Sequence, residues 1–414
     1  IKMNQSKPEE KPYRLIFINH YASIPRFPGP TRNFDFAAVL AALGWVVNLV
    51  SCRFNHYLRR YLSKPPKSER GVRLRWLWST PYHGNTLERE LNILVFSKVS
   101  FWANLFTPAD IIVTVTPPLE SAFFGWLLAR VKRVPFVLDL EDLWPDSIIT
   151  MGFRNRWVIL WLRFLERFLY RHSDHIMAVA GEMKEYLLKH GVPASKVDLI
   201  PLGANIPVLS EDRAALRAGW GFGQDEIIAV YVGAHGPANA LETLLKAAVL
   251  LKDKPKIRIV LYGDGSDKPR LRKLYTQWGL KENITLADPV PPERVPEILQ
   301  AADIGIASLK DTETFKTVRP NKIYEYMAVG LPIICCIDGE ASRIVSEAGA
   351  GISVTPEDCW GLSQAILTLA GDTGQRLRFG ENGLKYVKST GDRMELARQM
   401  DQVLKKVIHD RRSV

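Results

Sequence analysis

Residues 110–147 read DIIVTVTPPLESAFFGWLLARVKRVPFVLDLEDLWPDS. A β-branched apolar run ends at Pro117 and Pro118, a stretch rich in Ala, Leu and aromatic residues follows, and a second apolar run, PFVLDL, stops at an acidic loop. Strand, loop, helix and strand in that order make a parallel pair joined by a crossover helix. Runs that are apolar throughout, rather than at every second residue, belong to strands covered on both faces. The unit recurs on either side. Upstream, RLIFINH (14–20) leads through YASIPRFPGPTR into the helix-like NFDFAAVLAALG and another strand; downstream, DHIMAVAGEMKEYLLKHGVPASKVDLIPLGAN repeats the order. A second series opens near residue 226 with EIIAVYVGAHGPANALETLLKAAVLL and continues through IRIVLYGDGSDKPRLRKLYTQWG, ITLADPV, ADIGIASLK, LPIICCI and GISVTP. Between the series, residues 201–226 are polar and rich in Gly and Pro, which reads as a linker. The expectation is an α/β chain of two doubly wound domains, 1–205 and 206–391, facing a central cleft, with a helix of about 392–414 returning to the first.

Composition narrows the partners. The 414 residues are 47% apolar and 24% charged, ample for folded cores, and the formal net charge of +11 favours something anionic. Cys52, Cys335, Cys336 and Cys359 follow no metal-binding spacing, and the adjacent pair sits in an apolar strand-like run, so a reduced cytoplasmic protein without metal is expected. The opening IKMNQSKPEEKPYR lacks the apolar core of a signal peptide, and no later run is long enough to span a bilayer. Cations and aromatics nonetheless interleave. Arg53, Arg59, Arg60, Lys64, Lys67, Arg70, Arg73 and Arg75 precede Trp76, Trp78, Phe96, Phe101, Trp102 and Phe106; in RWVILWLRFLERFLYRH (156–172), Arg163, Arg167 and Arg171 recur every four residues among Trp and Phe. Such stretches suit an anionic membrane surface, and equally a buried helix with a solvated basic edge.

The chemistry gathers at RPNKIYEYMAVGLP (319–332). Arg319, Asn321 and Lys322 stand at the start of a short helix, where free amides and an ammonium suit a diphosphate, and Glu325 one turn inside can accept two ribose hydroxyls. Gly233 and His235 in YVGAHGPANA, and Gly263 in YGDG, mark βα turns that let backbone approach a phosphate; a glycine turn without ligand has the same pattern. Diphosphate and ribose together make a nucleotide. At the end of the PFVLDL strand, Asp139, Glu141 and Asp142 are candidates for a second substrate, as is His20 at the end of the first strand; a solvated acidic loop and a structural histidine are the plainer alternatives.

These elements resemble the family 4 glycosyltransferases, which have the GT-B fold, most closely the bacterial enzymes that add fucosamine-type sugars during O-antigen and capsule synthesis. The resemblance rests on YVGAHGPANALETLLKAA, YGDG, ADIGIASL, RPNKIYEYMAVGLPIICC and GISVTPED in the second half, and INHYASIP, PFVLDLEDLWPDS, RHSDHIMAVAGEM and VDLIPLGAN in the first. It implies a retaining transfer, without bound metal or cofactor, from a nucleotide sugar such as a UDP-N-acetylhexosamine to a lipid-linked saccharide acceptor, at the inner face of the membrane. GDP-fucose and GDP-mannose are alternative donors. By position Glu325 matches the second Glu of the family's paired motif. Its first Glu is replaced by Thr317, with Glu313 or Lys316 as substitutes, and the family's Arg and Lys of the first loop are Ala234 and Asn239 here, so that Lys322, Arg319 and His235 are expected to supply the charge. Asp142 and Lys322 are the expected catalytic residues, and Arg59, Arg60, Lys64, Lys67 and Trp102 the expected membrane-facing ones. A UDP-N-acetylhexosamine 2-epimerase shares the fold but has no use for the basic aromatic segment. A nucleic-acid-binding protein would account for the charge, but no such motif is present, and no nucleic-acid partner is expected.

Overall fold

The computed structural model describes residues 11–84, 87–150, 152–210 and 212–412; residues 1–10, with most of the opening segment, lie outside the described residues. The chain divides into two compact units, one of residues 1–24, 29–200 and 397–414 and one of residues 25–28 and 201–396.

The first unit is built on a sheet whose strands lie in the order Val197–Leu199, His175–Ala178, Phe136–Leu140, Ile111–Thr116, Arg14–Ile18, Val46–Cys52, Val72–Leu77 and Ser68–Glu69. All pairs are parallel except the last. The 111–116 and 136–140 strands are buried at every residue, as their unbroken apolar runs require. From Arg14–Ile18 the chain builds outward first to one side and later to the other. The switch point therefore lies at the carboxyl ends of the 14–18 and 111–116 strands, where His20 and the loop before helix Leu119–Lys132 emerge. The last helix, Arg393–Arg412, contributes Met400, Leu404 and Ile408 to buried positions, and its Asp401 accepts a hydrogen bond from the Trp45 indole at 2.6 Å.

The second unit carries six parallel strands in the order Ile284–Ala287, Ile257–Tyr262, Ile227–Val232, Ile304–Ser308, Ile333–Cys336 and Gly351–Ser353. Alternate residues face opposite layers. Ile228 and Val230 pack with Ile323, Tyr326 and Met327 of helix Asn321–Ala328, whereas Ala229 and Tyr231 pack with Leu244, Leu245 and Ala248 of helix Glu242–Leu250. Cys335 and Cys336 follow the same rule, one in each layer, and burial raises both thiols, Cys335 to about 12; all four cysteines are free. The switch point falls between Ile227–Val232 and Ile304–Ser308.

One sequence expectation changes. Within 201–226, Arg213–Gly219 is a helix capped by the Asp212 side chain, and its Arg213 and Arg217 both pair with Asp303; the flanking Gly and Pro concealed a folded piece of the second unit. Helix Glu242–Leu250 is preceded by a 3-10 turn at Pro237–Asn239 and by Ala240 in the left-handed conformation.

Candidate active site

Strand Ile227–Val232 ends at Gly233, whose φ of +153° carries the chain sharply away from the sheet. Gly263, after Ile257–Tyr262, has the same φ, and a Cβ there would lie 1.8 Å from the Gly233 carbonyl oxygen. Only glycine allows the two turns to stack. Their stacking is held from below by Lys268, whose buried ammonium donates to the carbonyls of Gly263 and Ala287 at 2.7 and 2.9 Å and to Asp288 at 3.0 Å.

Helix Asn321–Ala328 opens at Pro320 with no side-chain cap, so the amides of Asn321 and Lys322 meet no capping side chain, while that of Ile323 donates to the Pro320 carbonyl at 3.1 Å. Tyr326 anchors it: its ring rests on Gly305, where a Cβ would come within 2.5 Å, and its hydroxyl meets the Ile306 carbonyl at 3.2 Å. Lys322 then lies with its Nζ 3.9 Å from the centre of the Tyr231 ring, and a Cβ at Gly233 would be 3.4 Å from the same nitrogen. It pairs with no carboxylate among the described residues, and burial pushes its ammonium down to about 7, against the pull of Glu325. The Asn321 Oδ1 is buried without a hydrogen-bond partner. Glu325, one turn on, accepts no hydrogen bond from any described residue; burial raises its carboxyl, opposed by Arg393 and Lys322. A cation, an orphaned amide oxygen, free amides and an unpartnered carboxylate thus share the end of one short helix beside two glycine turns.

Two expected members are otherwise engaged. Arg319 is ion-paired with the fully buried Glu340, which Arg343 also binds, so its charge is spent inside the fold. His235 is wholly buried; its backbone links the turns, donating to the Asp264 carbonyl at 2.8 Å and accepting from Asp267 at 2.9 Å, and burial with Lys268 nearby takes the ring down to about 4. A neutral, enclosed imidazole offers no charge to a diphosphate. Of the two substitutes for the missing Glu, Lys316 and Glu313 bond to each other at 2.6 Å.

In the first unit the acidic loop divides in two. Arg32, fully buried at the start of helix Arg32–Ala42, donates to Asp139 at 2.7 Å, to Glu141 at 3.0 Å and to the Ile200 carbonyl at 3.2 Å, and Asn33 reaches both carboxylates at 3.3 Å. Asp139 and Glu141 are therefore corrected from substrate ligands to the anchors of a buried guanidinium. Asp142 stands apart: it is half-buried, and burial raises its carboxyl, with Ser147 and Trp144 acting against the shift. His20 is buried with Nε2 2.8 Å from the Asn92 amide oxygen, packed against Tyr21 and Phe96, and burial drives it down to about 3, so it is neutral and fixed. Sequence reasoning missed Glu120, at the switch point, whose Oε2 is buried without a partner and whose carboxyl burial pushes up to about 7. The signal was a lone acid two residues after Pro118, in the first turn of the helix that follows.

Three of the eight cations in the basic stretch 53–75 hydrogen-bond within the fold. Arg53 bonds the Leu62 carbonyl, Arg59 the His83 carbonyl, and Arg75 binds Asn104, Thr107 and the Ala103 carbonyl, while Arg60 lies in a two-residue strand against Asn55. Lys64 and Lys67 are solvent-facing and Trp102 is exposed. Among the described residues no helix is long and apolar enough to cross a membrane, and no group of His, Cys, Asp and Glu could hold a metal ion.

Two doubly wound units, each built on a parallel sheet with its own switch point, have the build of the GT-B fold. A glycosyl transferase 4-like domain matches residues 31–203 and a glycosyl transferases group 1 domain matches residues 212–386. The chain belongs to that family of glycosyltransferases. It is 29% identical over 270 residues to a D-inositol 3-phosphate glycosyltransferase of Nocardia farcinica, covering 63% of this chain and 59% of that protein. With the putative colanic acid biosynthesis glycosyl transferase WcaI of Escherichia coli it shares 27% over 346 residues, 77% of this chain and 84% of that one. Among solved structures, Anabaena Alr3699/HepE in complex with UDP superposes with a TM-score of 0.72 at 17% identity, over 95% of this chain and all of that one. WaaG, a glycosyltransferase involved in lipopolysaccharide biosynthesis, gives 0.68 at 14% identity over 94% and 99%. At these identities the structural likeness speaks for the fold.

Proposed function

We propose that the protein moves an N-acetylated hexosamine from a UDP-activated donor to a lipid-linked saccharide, with retention of configuration, during assembly of a surface polysaccharide. The observation that carries this is the helix Asn321–Ala328: a diphosphate fits between its first amides, the turn at Gly233 and the Lys322 ammonium, and ribose hydroxyls fit the unpartnered Glu325. Negative charge grows on the leaving diphosphate in the transition state. Lys322 and the fixed amides are donors already aimed at that place, so they stabilise it without reorganising. The leaving phosphate assists deprotonation of the acceptor hydroxyl, and Asp142 positions that hydroxyl. The UDP complex of the Anabaena protein and the colanic acid role printed for the Escherichia coli relative support the choice of nucleotide and pathway.

Thermal denaturation with a panel of nucleotide sugars tests the donor: UDP-N-acetylhexosamines should raise the melting temperature at concentrations where GDP-fucose and GDP-mannose do not. The reverse pattern would move the donor to the GDP-sugars. Free nucleotide and epimerised sugar released without any acceptor would make the protein an epimerase.

A further inference from the structure

Just past strand Phe136–Leu140, the Glu141 amide still donates to the Thr116 carbonyl of the neighbouring strand at 3.0 Å. Beyond it the backbone closes on itself: the Ser147 amide donates to the Leu143 carbonyl and the Ile149 amide to the Pro145 carbonyl, both at 3.1 Å. Asp142 sits in this loop, its carboxyl taking hydrogen bonds from the Leu143 amide and the Trp144 indole. Burial of Trp144 ties the loop to the unit on one side, and Asp146, at the start of helix Asp146–Thr150, ties it on the other. Asp146 is held by Arg163 of helix Arg156–His172. Both terminal nitrogens of the guanidinium bond its carboxylate, one of them at 3.0 Å. The same guanidinium donates to Glu166 at 3.3 Å and to the Tyr186 hydroxyl of helix Gly181–Lys189 at 3.4 Å. Glu166 is 2% exposed and accepts in turn from the hydroxyls of Tyr170 and Tyr186 at 3.3 and 3.2 Å. Two helices thus present one braced cation to the acidic loop. Glu166, three residues on in the same helix, already gives Arg163 a counter-charge; the fork nevertheless turns to Asp146, 17 residues back in the chain.

We propose that Arg163 is a positioning residue: through Asp146 it sets where the acidic loop stands, and so holds Asp142 at the place from which it meets the acceptor hydroxyl. This rests on the acceptor role proposed above for Asp142. A forked guanidinium fixes the angle of a carboxylate as well as its distance, and its own geometry is braced by Glu166 and Tyr186. Orientation therefore passes from a packed helix into a loop that lies beyond the end of its strand. The Arg163–Asp146 pair is a weak prop for the fold itself, because its side chains are 30% and 39% exposed. Its effect falls on the loop.

Asp146→Ala is the cleanest perturbation, since Arg163 keeps Glu166 as its partner and the buried carboxylate keeps its cation. Hydrogen exchange read by mass spectrometry on the whole protein should find the amides of 141–149 exchanging about tenfold faster, with residues 319–332 unchanged, as loss of a charge-assisted pair implies. With a UDP-N-acetylhexosamine and a lipid-linked saccharide, kcat/KM for the acceptor should fall about tenfold, while UDP affinity from calorimetry stays at the wild-type value. In an Asp142→Asn background the same substitution should cost less than about twofold more, because the carboxylate it misplaces is already gone. Asp146→Glu keeps an acceptor for the fork and should recover most of the rate. Unchanged exchange in 141–149 overturns the clamp. Faster exchange with wild-type acceptor kinetics, or a loss equally large in the Asp142→Asn background, overturns the positioning role. Wild-type transfer in Asp142→Asn alone would remove the acceptor role and this proposal with it, and the UDP titration keeps the donor reading separate from both.

Discussion

Lys322 should make donor binding pH-dependent in a window where few side chains titrate. Burial over the Tyr231 ring brings its ammonium to about 7. Only the charged form attracts a diphosphate, so binding must take up a proton, and affinity falls as pH rises through that value. With a pKa near 7 the charged fraction drops from about one half at pH 7 to about one eleventh at pH 8, so the dissociation constant rises about fivefold across that unit and about tenfold over the next. A UDP-sugar is the ligand to use, because the terminal phosphate of free UDP titrates in the same range. Calorimetry in buffers of different ionisation enthalpy should find about half a proton taken up per donor at pH 7. Lys322→Met should bind about 10- to 150-fold more weakly at pH 6, from about 1.5–3 kcal/mol for a charged hydrogen bond, and without the slope. Lys322→Arg, charged throughout, should also lose the slope. His235, held down to about 4, cannot produce it. A wild-type affinity constant between pH 6.5 and 8.5, or the same slope in Lys322→Met, would refute the reasoning.

Glu325→Ala should weaken UDP binding by about 1.5–3 kcal/mol, since ribose hydroxyls lose a charged acceptor, and calorimetry checks it. Asp142→Asn keeps shape and removes charge, so transfer should fall in steady-state kinetics while donor affinity holds; equal loss of both would assign the residue to folding. Asp139→Leu should cost about 3–5 kcal/mol in denaturant unfolding, because it leaves the buried Arg32 guanidinium short of a partner, with the lost activity following the lost fold.

The alternation of strands and helices and the two doubly wound units were legible because buried parallel strands write themselves as unbroken apolar runs. That Lys322 and Glu325 share the start of one short helix was legible because a helix mouth with a cation and a carboxylate one turn apart is a local pattern. What sequence concealed is pairing across the chain. Arg319 and Glu340 are 21 residues apart and Arg32 and Asp139 are 107 apart, and only the folded chain shows that these charges satisfy each other. Helix Arg213–Gly219 was hidden by the opposite error, in which Gly and Pro at its borders outweighed a short run of helix formers behind an Asp cap. Residues 156–172 were read correctly as basic and aromatic, but burial alone separates the inner leucines from the outer tryptophans.

The central claim is glycosyl transfer from a UDP-sugar. Purified protein, a UDP-N-acetylhexosamine and a lipid-linked saccharide extracted from a surface-polysaccharide assembly system can be incubated together, with the lipid product followed by mass spectrometry and UDP release measured in parallel. The account predicts that the acceptor gains one N-acetylhexosamine residue for each UDP released, and that both signals vanish in Glu325→Ala. UDP released with no change in acceptor mass, or extension of the acceptor only when a GDP-sugar is supplied, would contradict it.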